Sequence, residues 1–76
     1  MSSHLPVISG RDAVRAFEKT GFALQHGRGK GSHMVMARDG WAAILTIPDH
    51  RELKRETLRS LIRSAGLSVD EFAALL

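Results

Sequence analysis

The sequence predicts an α+β fold in which three antiparallel strands make one sheet, with helices packed on one side of it. Three observations carry that expectation. Element signals follow one another in the order α-β-β-β-α-α, an Asp39-Gly40 pair separates two apolar runs, and capping-box patterns open helices near both ends of the chain. With 76 residues, no internal repeat and no credible linker, residues 1–76 read as a single domain. A chain this short has a marginal core, and without cysteine it has no disulfide staple, which hints at stabilisation by a protein partner.

The first helix is announced by Ser9, whose hydroxyl can cap it, with Asp12 three residues later in the favourable first turn. Ala13, Val14, Ala16 and Phe17 supply an apolar face at helical spacing, and Thr20-Gly21 a stop, placing the helix at about residues 10 to 20. Phe22 to His26 alternates apolar and polar residues and reads as a short strand running into the loop that holds Gly27, Gly29 and Gly31. A second strand starts near His33. Asp39-Gly40 signals a two-residue hairpin, and Trp41 to Ile47 is the third strand, closed by Pro48.

A tight Asp39-Gly40 turn would pair Arg38 with Trp41, Met36 with Ala43, Met34 with Leu45 and His33 with Thr46, leaving His33 at the open end of the hairpin. Strand alternation puts His33, Val35 and Ala37 on one face and Met34 and Met36 on the other. Both faces are largely apolar, so one meets the helices and the other awaits a partner. The second helix is expected over Arg51 to Ala65, with Leu58, Leu61, Ile62 and Ala65 buried and Gly66 as its stop. Arg51, Arg55, Arg59 and Arg63 recur every four residues and form a basic ridge beside Lys54, either a phosphate-binding surface or a solvated face paired with Glu52 and Glu56. A last short helix starts at Ser68, with Glu71 completing its capping box.

Basic residues exceed acidic ones 11 to 8, a modest surplus whose distribution says more than its size. From His26 to Arg38 there are Arg28, Lys30, Arg38 and two histidines with no acid, a local positive field suited to phosphate or, equally, a solvated loop. The N-terminus lacks the pattern of a secretion signal and no apolar run is long enough to span a bilayer, so the expectation is a soluble, cytoplasmic protein.

The four histidines show no metal-ligand spacing and there is no paired-carboxylate cluster, so neither metal nor other cofactor is expected. Ser32 and His33 are adjacent in a strand and point to opposite faces, which argues against a serine nucleophile. The glycine-rich segment lacks the P-loop ending and its strand-to-helix context, yet its glycines let backbone amides approach a phosphate, with Arg28, Lys30 and Ser32 alongside. RNA carries its own nucleophile in the 2′-hydroxyl, so a ribonuclease needs little more than a base and a cation. His33 and Lys30 suit those roles, although a lone strand histidine reads by itself more readily as non-catalytic.

Ser9-Gly10, Thr20-Gly21-Phe22, Lys30-Gly31-Ser32-His33, Leu53-Lys54, Thr57-Leu58-Arg59 and Ala65-Gly66-Leu67 occur here in the order seen in one family. Along nearly its whole length the chain resembles the HicA family of bacterial mRNA-interferase toxins. The resemblance implies a fold like the double-stranded-RNA-binding domain, cleavage of mRNA with arrest of translation and growth, and neutralisation by a HicB-like antitoxin. Toxin and antitoxin together would regulate their own expression, so contact with DNA would be indirect. The family's catalytic histidine follows Gly-Ser, which implies His33 here, with Lys30, Gly31 and Ser32 at the substrate phosphate. Arg28 lies outside that match and joins the RNA-binding set on charge alone, as do Lys54, Arg55 and Arg59 on the helix ridge.

Where family members often carry a further histidine or an aromatic-rich strand, this chain has Met34-Val35-Met36-Ala37, which weakens the case for base stacking. Phe17, Phe22 and Phe72 suit the core, and Trp41 is better placed for packing than for stacking on a base. Two rival readings follow from the same residues: a non-catalytic RNA-binding module, and a protein-interaction domain whose positive face docks an acidic partner.

Overall fold

The protein is described by a computed structural model covering residues 5–27 and 31–76. Its elements run α1 (Gly10–Glu18), β1 (Ala23–Leu24), β2 (His33–Ala37), β3 (Leu45–Pro48), α2 (Arg55–Ser64) and α3 (Val69–Ala73). The strands form one antiparallel sheet in the order β1-β2-β3. Met36, Leu45 and Ile47 point into the core with Phe17, Leu58, Ile62 and Phe72. Phe17 is the hub: its ring centroid lies 4.9 Å from that of Phe72 and 6.1 Å from that of Phe22.

Both expected capping boxes form. The Asp12 amide donates to Ser9 Oγ at 3.0 Å and the Ser9 amide to the Asp12 carboxylate at 3.3 Å, and Ser68 and Glu71 do the same for α3 at 3.0 and 2.7 Å. At the end of α2, Gly66 adopts φ +78°, its amide donates to the Arg63 carbonyl, and the Leu67 amide reaches back to that of Ile62. Those two bonds make a Schellman motif, which needs a residue at positive φ.

The β2–β3 hairpin departs from the tight turn that Asp39-Gly40 predicts. His33 pairs with Pro48, Met34 with Ile47, Val35 with Thr46 and Met36 with Leu45, a slip of two residues from the expected register. A two-residue hairpin loop of the I′ type needs positive φ at both central residues, but only Gly40 (φ +77°) has it, so the Arg38–Trp41 turn has the φ signs of type II. Trp41 then leaves the sheet to pack against the end of α2, and the third strand begins at Leu45 instead of Trp41. A slip of two preserves faces, so the expected division of side chains holds.

The second helix also starts later than expected. Leu53 is buried and its amide donates to the Ile8 carbonyl at 2.8 Å, which ties down the segment before Lys54 and keeps Arg51 off the helix. The basic ridge on α2 is therefore Arg55, Arg59 and Arg63. Among the described residues, ion pairs join Arg11 to Asp49 and Arg15 to Asp12, and none involves the ridge or Glu52 and Glu56.

Candidate nucleic-acid interface and active site

His33 opens β2 and is exposed on the sheet face turned away from the helices, with Val35, Ala37 and Thr46. Ile44 lies just ahead of β3 and is 46% exposed. The base of the hairpin is built to place His33. Pro48 sits opposite it at a non-hydrogen-bonded position of an edge strand, where the amide that proline lacks would point away from β2 and make no ladder bond. One residue further on, the Asp49 amide donates to the Ser32 carbonyl and extends the ladder past His33. Gly31, at φ +61°, turns the chain into the strand.

Helix α1 braces this end from the other side of the sheet. The Gly10 amide donates to the His50 carbonyl at 2.9 Å, and a Cβ at Gly10 would collide with the Pro48 carbonyl oxygen. Only glycine lets the first turn of α1 come so close to Pro48. The Arg11 guanidinium makes two bonds to the Asp49 carboxylate, at 3.2 and 3.3 Å, and this pairing raises the Arg11 pKa above its ordinary value. Nothing in the sequence marks Arg11 and Asp49 as partners, since they are 38 residues apart.

Of the expected site residues, Gly31, Ser32 and His33 lie together at the solvent-exposed end of β2, while Arg28 and Lys30 lie outside the described residues. Lys54, Arg55 and Arg59 are exposed on and just before α2. Lys54 occupies the N-cap without a side-chain bond to the helix, so the cap residue does not compete for the amides of its first turn. Arg59 and Arg63 border a shallow groove between α2 and α3, floored by Ile62, Leu67 and Val69. Among the described residues, no group of three or more His, Asp or Glu side chains is arranged to hold a metal ion.

Trp41 packs rather than standing free. Its indole N–H donates to the Ser64 carbonyl at 2.8 Å, its ring lies against Gly66, and the Arg38 guanidinium sits 5.7 Å from the ring centroid. One of the carbonyls left unpaired at the end of α2 is thereby satisfied from outside the helix.

Comparison with known proteins agrees with this geometry. A family described as the HicA toxin of bacterial toxin-antitoxin systems matches residues 10–67. The chain belongs to the HicA toxin family. The match runs from the first residue of α1 to the end of the Schellman motif and includes the whole sheet. Among solved structures, a chain of a toxin-antitoxin complex from Streptococcus pneumoniae is 33% identical, with a TM-score of 0.70 over 79% of this chain and 98% of that one. No curated protein matches. The HicA chain thus has the α+β arrangement, like that of the double-stranded-RNA-binding domain, that the resemblance implied. Among the described residues, no helix is long and apolar enough to cross a membrane.

Proposed function

We propose that this HicA-family toxin is a ribonuclease that cleaves mRNA and is neutralised by a HicB-like antitoxin. The observation that carries the reading is His33: a titratable side chain held at the first position of β2, open to solvent, beside a glycine turn in a basic stretch. His33 acts as general base on the ribose 2′-hydroxyl, which attacks the adjacent phosphorus. Ser32 and the backbone at Gly31 contact the phosphate, and Lys30 and Arg28 stabilise the developing negative charge. No metal takes part. Lys54, Arg55 and Arg59 hold the flanking RNA backbone, a role favoured by the absence of acidic partners for them among the described ion pairs. The antitoxin works by covering the face that carries His33.

The test is controlled expression of the wild type and His33→Ala in bacteria, following growth and total mRNA integrity together. Growth arrest and mRNA loss with the wild type alone are expected. Equal toxicity from both proteins would overturn the role of His33, and a well-folded wild type that leaves mRNA intact would overturn the ribonuclease reading.

A further inference from the structure

We propose that His50 is the second proton-transfer group of the site, the general acid that protonates the leaving 5′-oxygen. The inference rests on the ribonuclease reading and adds the residue that would complete its acid-base pair.

The placement follows from the ladder. His33 lies opposite Pro48, and the Asp49–Ser32 bond carries the same register one residue further; continued by one more residue past the end of β3, that register sets His50 across from Gly31. Asp49 turns its side chain to Arg11 on α1, the helix side of the sheet. The carbonyls of Pro48 and His50 both face Gly10, so the alternation of β3 continues for these two residues and sets His50 on the open face with Pro48 and His33. Residues so related are diagonal neighbours, about 7–8 Å apart across a sheet, which leaves room for a phosphodiester between two imidazoles. His50 is exposed, as His33 is. Its backbone carbonyl is bonded by the Gly10 amide, and the chain just beyond it by the bond from Leu53 to Ile8.

The chemistry requires such a group. As the 2′-oxygen bonds to phosphorus, its proton passes to His33; the P–O5′ bond then breaks, and the departing oxygen takes a proton from the His50 imidazolium. The products are a 2′,3′-cyclic phosphate and a 5′-hydroxyl, with one proton accepted and one given. The charged groups around His50 do not supply that proton. Asp49 is committed to Arg11, arginine gives up no proton, which excludes Arg11 and the following Arg51, and Glu52 lies past the bend that the chain makes at Arg51.

The experiment compares wild type, His33→Ala, His50→Ala, His50→Gln and His26→Ala on an RNA oligonucleotide over about pH 5 to 9, where histidine titrates. A second substrate carries sulfur in place of the bridging 5′-oxygen, a leaving group that departs without protonation. Circular dichroism confirms the fold of each variant. Both His50 variants should lose about 100- to 10,000-fold on ordinary RNA, lose the alkaline limb of the pH profile, and recover wild-type rates on the sulfur substrate. His33→Ala should stay inactive on both. Equal losses on the two substrates, an unchanged rate, or loss of the alkaline limb in His26→Ala instead would overturn the assignment. Wild type that cleaves neither substrate would overturn the ribonuclease reading itself, and with it this inference.

Discussion

Gly66→Ala should destabilise this chain more than any other glycine-to-alanine change at a comparable backbone angle, because Trp41 occupies the space the methyl group would need. An added Cβ would lie 2.6 Å from Cη2 and 2.7 Å from Cζ2 of the indole. Gly40 is the matched control: its φ is +77° against +78° for Gly66, and a Cβ there meets nothing within 4 Å. The strain of an L-residue at positive φ, roughly 1–2 kcal/mol, is common to both and cancels in the comparison. Overpacking costs a further 1–3 kcal/mol or so, part of it the bond from Trp41 to the Ser64 carbonyl. Gly66→Ala should therefore exceed Gly40→Ala by about 1–3 kcal/mol, and each kcal/mol corresponds to roughly 4–8 °C in Tm for a chain of this size. Thermal and urea denaturation followed by circular dichroism measure the difference. Emission from Trp41, the one tryptophan in the sequence, should shift to the red as the ring is released. In a Trp41→Ala background the two glycine variants should agree to within about 0.5 kcal/mol. Equal destabilisation with Trp41 intact would refute the idea that the indole is locked on Gly66.

Met36→Ala should cost about 2–5 kcal/mol in urea titrations, since Met36 is fully buried, whereas Val35→Ala on the open face should cost well under half as much. Gly10→Ala should separate α1 from the Pro48 carbonyl and show faster amide hydrogen exchange at position 10 and at Asp49; unchanged protection there would contradict the close approach. Ser9→Ala removes one cap and should lower stability by about 1 kcal/mol, detectable as a lower urea midpoint at unchanged slope. Replacing Arg59 with Gln should weaken RNA binding and reduce the salt dependence by about one phosphate contact; an unchanged slope would place Arg59 outside the RNA interface.

Much of the fold is legible in the sequence because its signals are local. Ser9 with Asp12, Ser68 with Glu71, and Gly66 at a helix end act within one turn of chain, so the sequence carries both the residues and their partners. The alternation that places His33 opposite in face to Met34 and Met36 is likewise a property of any strand. For the same reason the strand-end position of His33 survived a hairpin register that was itself two residues off.

What failed to read from sequence depends on contacts between distant segments. Asp39-Gly40 suits more than one turn, and the docking of Trp41 on Gly66 and Ser64 favours a longer connection, at the expense of the first half of the expected third strand. Arg51 has the spacing of a helix ridge, but Leu53 is tied to Ile8 and the helix waits until Arg55. Sequence alone therefore determined the element order, the caps, the faces of β2 and the family resemblance that points to His33. The tertiary structure decided the hairpin register, the length of the arginine ridge and the bracing of Asp49 and His50 by Gly10 and Arg11, because those depend on which distant backbone amides and side chains packing brings within bonding distance.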